Sequence, residues 1–216
     1  MAGRYELVIF DWDGTLMDSI GKIVACWQEA FMAMELAPPS AEILRSLIGL
    51  STPASIERLA PQLSQPAQRR FCDLYRHHYR VAEQVPSELY PGVPELLSQL
   101  SDRGYTLAVA TGKGRPGLDR VLAQTGLGPL FPHTRSASET HSKPDPAMVL
   151  ELCQLNRVSP DRTLVVGDAW FDLEMARRAG ADGVGVSYGA GTRSSLCSAG
   201  PKAIIDSPLQ LLNHLD

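Results

Sequence analysis

No apolar run in this 216-residue chain approaches the roughly 20 residues that a membrane-spanning helix requires. The opening residues also lack the long apolar segment of a secretory signal, so the sequence predicts a cytoplasmic protein that does not enter a membrane. Cysteine is scarce: Cys26, Cys72, Cys153 and Cys197 stand far apart with no Cys-x-x-Cys pair, which argues for reduced thiols rather than a disulfide framework. Basic charge is in deficit, 20 Lys and Arg against 24 Asp and Glu for a formal charge of -4, so there is no electrostatic footprint for nucleic acid. That acidity does not exclude an anionic substrate, because one local lysine or metal can dominate a cleft. No internal repeat or low-complexity tract is present. Two nucleotide signatures are incomplete as well. Gly112-Lys113-Gly114 lacks the Gly at 107 and the Ser or Thr at 114 of a P-loop, and Gly183, Gly185 and Gly189 miss the dinucleotide spacing.

What is present is an ordinary soluble composition, 44% hydrophobic and 20% charged, in a length that suits one to two domains. The chain is organised around Leu7-Val8-Ile9-Phe10-Asp11-Trp12-Asp13-Gly14-Thr15-Leu16. Four apolar residues read as a buried strand of a parallel sheet, and two acids follow it directly. Residues i and i+2 of an extended chain share a face, so Asp11 and Asp13 are expected on one side of the strand end. Like charges brought together there repel, and a cation is the simplest relief. The alternative is a plain Asp-Gly turn with a solvated neighbour. A calcium-binding EF-hand does not fit, because Gly14 comes two residues too early after Asp13.

Between 17 and 89 the pattern is helical throughout. Ile20, Ile23, Val24, Trp27, Phe31 and Met34 fall at helical spacing, with Asp18 or Ser19 as N-cap. Ser40 begins a second helix through Ile43, Leu44, Leu47 and Ile48, stopped by Gly49. Thr52-Pro53 opens a third, and a fourth starts near Pro66 and carries Phe71, Leu74, Tyr75 and His78 on one side. From Tyr90 the chain alternates helix and strand, with clear strands at Thr106–Ala110 and Thr163–Val166, further ones at Gly183–Val186 and Ala203–Ile205, and at most one weak strand in 128–141. This predicts an α/β fold with an open parallel sheet, 1–16 and 90–216 forming the core and 17–89 an inserted all-helical domain.

Such sheets bind ligands beyond the carboxyl ends of their strands. Asp11, Thr111 and Asp168 each follow an apolar strand and are therefore expected in one crevice, with Asp172 one helical turn beyond Asp168. Oxygen ligands without nearby His or Cys favour Mg²⁺. Lys143 stands before a helix start, where the macrodipole disfavours a cation unless an anion holds it.

Asp11-Trp12-Asp13-Gly14-Thr15-Leu16, Thr111, Lys143-Pro144 and Gly167-Asp168 with Asp172 together resemble the ordered motif set of the haloacid dehalogenase superfamily, over nearly the whole chain and closest to its phosphoglycolate phosphatase-like members. The resemblance implies a Rossmann-like core with a helical cap and a Mg²⁺-dependent phosphatase acting on a small phosphorylated metabolite, as a monomer or homodimer. It implies Asp11 as nucleophile, Asp13 as acid/base, Thr111 on the phosphoryl oxygens and Lys143 between Asp11 and phosphate. Asp11, the backbone carbonyl of Asp13 and Asp168 would hold the metal, with Asp172 bound directly or through water. Metal-free dehalogenases lack an acid at the position of Asp13, which disfavours halide displacement. Gly112 stands where related phosphatases carry Asn, leaving a backbone contact there. Together with the cap helix that faces it, the cap stretch Gly49–Ser55 is expected to set specificity, offering Ser51, Thr52 and Ser55, with Arg45 and Arg58 the nearby cations. Its low charge argues against a β-phosphoglucomutase-like phosphoryl transferase, and a metabolite-binding protein without turnover is the remaining alternative.

Overall fold

Leu7–Phe10 (β1) is buried along its whole length at the centre of a six-stranded sheet in the computed structural model, which describes residues 4–215. It pairs in parallel with Thr106–Thr111 (β2) on one side and Thr163–Gly167 (β4) on the other, Phe10 lying level with Val109 and Val166. His133–Ser136 (β3), Asp182–Val186 (β5) and Ala203–Ile205 (β6) complete the order β3-β2-β1-β4-β5-β6, every pairing parallel. The expected α/β class and parallel sheet are therefore observed, with the strand order of a doubly wound fold.

The two-residue period of the strands divides the core into two layers. Val8 and Phe10 face Val93, Leu96, Leu97 and Leu100 of Val93–Asp102 (α5) and Leu118 and Val121 of Arg115–Thr125 (α6). Leu7 and Ile9 face Met148, Val149 and Leu152 of Ala147–Asn156 (α7) and Met175 and Ala176 of Trp170–Ala179 (α8). With both faces covered, the strands have to be apolar on both sides, which is why they read as continuous runs.

Four helices lie between β1 and α5: Ile20–Ala33 (α1), Ala41–Arg45 (α2), Thr52–Leu59 (α3) and Gln65–Ala82 (α4). They enclose a cluster of their own, in which Trp27 and Phe31 of α1 meet Phe71 of α4 edge to face at 5.8 and 4.9 Å. The chain enters and leaves this segment side by side, Tyr90 N donating to Leu16 O and Asp18 N to Glu88 O.

Local expectations are met in part. The second helix ends at Arg45 rather than near Gly49, and Ile43 is 49% exposed, so only part of its apolar spacing is a buried face. Ser19 occupies the N-cap of α1 but makes no capping bond; its hydroxyl donates to Asp13 instead. The weak strand in 128–141 is β3, polar because it is an edge strand with half-buried residues. The helix Arg193–Ser198 (α9) and the 3₁₀ segment Pro208–His214 were not expected. Each is too short or irregular to carry an α-helical period.

Candidate active site

Asp11 leaves β1, Thr111 ends β2 and Asp168 leaves β4, so three neighbouring parallel strands deliver three polar side chains to one edge of the sheet. The loop before α7 brings Lys143 to the same place. Its ammonium lies 2.6 Å from Asp11 Oδ1 and 2.6 Å from Asp172 Oδ1, in full burial. Asp172 is held from its other oxygen, which accepts the Ala169 N–H at 3.0 Å at the start of α8. Asp168 Oδ2 accepts from Ala190 N at 2.7 Å. Gly14 makes room for that carboxylate: its φ is +90°, and a Cβ there would stand 2.7 Å from Asp168 Cγ.

One oxygen from each of Asp11, Asp168 and Asp172 falls within 4.8 Å of the others. Three carboxylates against one ammonium is a net charge of -2 inside the protein. Burial, reinforced by Asp172 and Asp13 and opposed by Lys143, pushes Asp11 up to about 7. Burial and the two neighbouring acids likewise raise Asp168 well above the usual carboxylate range. Asp11 Oδ2 is buried with no hydrogen-bond partner among the described residues. A hard divalent cation fits this all-oxygen donor set and would remove the like-charge penalty. The expected ligands Asp11, Asp168 and Asp172 are thus brought together. The Asp13 carboxylate is not part of that cluster, which leaves only its backbone carbonyl for the metal role the resemblance implied.

Asp13 lines the same cavity as Asp11, in keeping with their i, i+2 spacing, but has separate partners. Ser19 Oγ donates to its Oδ1 at 2.6 Å, and Lys113 Nζ stands 3.1 Å from its Oδ2. Lys113 also lies 3.2 Å from Tyr79 Oη and 4.5 Å from that ring's centroid. Burial works against its charge, yet the Asp13 carboxylate and other neighbours hold its pKa above the ordinary lysine value. In the sequence, the glycine neighbours of this lysine suggest only a broken P-loop. The informative signal was its position two residues beyond the end of a strand that points into the crevice.

Thr111 is buried and lines the cavity; its Oγ1 accepts the Lys113 N–H at 3.1 Å, leaving its own proton free to donate. Ser51 and Thr52 also line the cavity, and Ser51 N donates to Ser142 Oγ at 3.0 Å, joining the loop before α3 to the residue before Lys143. Gly112 sits directly beneath that loop: a Cβ there would run into Gly49 O and lie 2.6 Å from Leu50 O. Three of the residues offered by the Gly49–Ser55 stretch and its surroundings lie outside the cavity lining. Ser55 is buried against Leu47 O, outside the cavity lining. Arg58 stacks on Phe171 at 5.2 Å, and Arg45 lines a separate groove beside Trp170. The cations lining the cavity are Lys113, Arg76, Arg80 and Arg120, from the end of β2 and from α4 and α6.

A family model described as haloacid dehalogenase-like hydrolase matches residues 8–186. The chain is 34% identical over 214 residues to the protein called "Probable phosphatase IndB" of Dickeya dadantii, covering 93% of this chain and 89% of that one. It is 29% identical over 216 residues to a phosphoglycolate phosphatase of Vibrio vulnificus, with 96% and 95% covered. Among solved structures, a predicted phosphoglycolate phosphatase from Haemophilus somnus superposes with a TM-score of 0.86 at 26% identity, across 99% of both chains.

Proposed function

The chain belongs to the haloacid dehalogenase-like hydrolases and acts on phosphate monoesters, and we propose that it does so through an aspartyl-phosphate on Asp11 with Mg²⁺ as cofactor. The observation that carries this reading is the buried Asp11–Lys143 contact at 2.6 Å beside the Asp168 and Asp172 carboxylates. Asp11, Asp168 and the backbone carbonyl of Asp13 would hold the metal, with Asp172 beside it. When bound, the cation supplies positive charge to the phosphoryl oxygens and to Asp11.

The protein's own groups account for the remaining steps. A carboxylate about 4 Å from a phosphate dianion is repelled by roughly 8 kcal/mol at an effective dielectric near 20. Lys143 opposes part of that repulsion and, like the Thr111 hydroxyl, meets the charge on the equatorial oxygens. An oxygen of Asp11 then bonds to phosphorus as the bond to the leaving oxygen breaks. The carboxyl of Asp13 gives its proton to that oxygen, and its carboxylate next takes a proton from the water that attacks the phosphorus. Phosphate leaves and Asp11 is regenerated. We assign residues 17–89 to the cap over the leaving group and 1–16 with 90–216 to the core. Ser51, Thr52 and the backbone at Gly112 would be the substrate's neighbours, and a small phosphorylated metabolite the substrate. No helix among the described residues is long and apolar enough to cross a membrane.

Asp11→Asn keeps shape and removes the attacking charge, so release of phosphate from an aryl phosphate should fall to background. Retention of more than a few per cent of the wild-type rate would overturn the nucleophile assignment. A mutase-type phosphoryl transfer draws support from one observation, the cations Arg76, Arg80, Lys113 and Arg120 around the cavity. Product analysis separates the two: a mutase supplied with β-glucose 1-phosphate and its bisphosphate would form sugar 6-phosphate faster than inorganic phosphate.

A further inference from the structure

Between the sheet edge and the four helices lies a cavity of about 600 Å³, bounded at one end by Asp11, Asp13 and Thr111. That volume sits within the range of roughly 300–1,000 Å³ typical of pockets for drug-sized ligands. It is several times what a two-carbon phosphorylated acid occupies. Its walls are not built for a small, fully polar molecule. Trp27 and Tyr75 both line it, their rings 5.7 Å apart, and Tyr79 follows with its ring 5.8 Å from that of Tyr75. Ile48, Leu50 and Pro53 contribute further apolar surface.

The cations in the lining are largely engaged. Lys113 pairs with Asp13 at 3.1 Å, Arg120 with Glu83 at 2.8 Å and Arg76 with Asp73 at 2.6 Å. Arg80 has no acid partner among the described residues and donates to Arg76 O. The aromatic wall, in which Trp27 and Tyr79 are largely buried and Tyr75 is half-buried, starts at a defined place. Tyr79 touches Lys113, and Lys113 touches Asp13, the group assigned to protonate the leaving oxygen. The row Tyr79–Tyr75–Trp27 therefore lines the leaving-group side of the site.

We infer that the leaving group received here carries a planar ring, held against Tyr75 where Trp27 and Tyr79 flank it, and is much larger than glycolate. This rests on the phosphatase reading above and narrows its substrate. A planar ring covers apolar wall that a short acid leaves in contact with water, and aromatic faces accept such rings with little demand on their substituents. The phosphoryl end remains at Asp11 and Lys143, and the ester oxygen remains beside Asp13.

The test compares substrates whose phosphoester chemistry is matched. Uridine and adenosine 5′-monophosphates, 2-phosphoglycolate and glycerol 3-phosphate are all primary alkyl phosphates, so differences in kcat/KM report the fit of the leaving group. With Mg²⁺ present, the better nucleotide is expected to exceed both small esters at least tenfold in kcat/KM. Tyr75→Leu, which keeps apolar bulk and removes the ring, is expected to bring that ratio down at least threefold. Because the ratio is taken within one preparation, a partly unfolded variant does not distort it. A ratio below ten in the wild type, or an unchanged ratio in Tyr75→Leu, would overturn the inference and leave the phosphatase reading standing. Release of phosphate from none of these esters and from no aryl phosphate would overturn both.

Discussion

Lys113 Nζ lies 3.1 Å from one oxygen of the Asp13 carboxylate, while the Ser19 hydroxyl holds the other oxygen at 2.6 Å. Asp13 is thus gripped from beyond the end of β2 on one side and from the N-cap of α1 on the other, and its carboxyl group has a defined orientation.

Lys113→Met removes one of those grips and leaves a buried carboxylate without its cation, a change that strongly affects such pairs. For alkyl phosphates, whose leaving oxygen needs a proton, kcat is expected to fall by about tenfold or more, or ~1.4 kcal/mol in the barrier. For 4-nitrophenyl phosphate, whose leaving group departs readily as an anion, the loss should be smaller. Steady-state kinetics on the two substrates check this; equal losses would point to a purely structural role.

Gly112 accommodates the carbonyls of Gly49 and Leu50 where a side chain would collide with them. Gly112→Asn is therefore expected to push the loop at Gly49 and Leu50 away from the end of β2. Overpacking of this kind costs about 1–3 kcal/mol. A rise in KM larger than the change in kcat, together with a lower melting temperature, is the expected pattern.

Removing metal should reveal the buried acids through pH. The Asp11 carboxyl, pushed up by burial to about 7 from 3.8, binds its proton more tightly in the folded chain than in the unfolded one. Its stabilising contribution is present below the unfolded value and is lost as pH rises through the folded one. Asp168 acts in the same direction. In excess chelator the melting temperature should therefore drop between pH 5.5 and 7.5. Added Mg²⁺ should raise it more at pH 7.5 than at 5.5, because it binds the ionised forms. Asp168→Asn should weaken both effects and increase the Mg²⁺ needed for half-maximal activity.

The helical segment depends on the ring of Phe71, which packs edge to face with Trp27 and Phe31 in full burial. Phe71→Ala is expected to cost about 3–5 kcal/mol. Chemical denaturation followed by tryptophan fluorescence would report it, since Trp27 lies in the same cluster.

Continuous apolar runs ending on Asp11, Thr111 and Asp168 were sufficient, by themselves, to indicate a parallel sheet and the edge where its polar residues meet. A strand buried on both faces leaves that trace in sequence, and so do long amphipathic helices such as α1 and α4. Edge strand β3 and short α9 bury too little to leave it. The partners in the site were decided by the tertiary structure. Nothing local to Gly112-Lys113-Gly114 indicates that Lys113 will meet Asp13 and Tyr79, which are 100 and 34 positions away in sequence. Likewise, Arg45 and Arg58 were the cations closest in sequence to Gly49–Ser55, whereas the cavity is lined by Arg76, Arg80 and Arg120. Periodicity specifies which face of a helix is buried, but not what that face is buried against. That depends on how α4 packs on α1 and over the end of β2, a long-range arrangement settled by the shape of the aromatic cluster rather than by neighbouring residues.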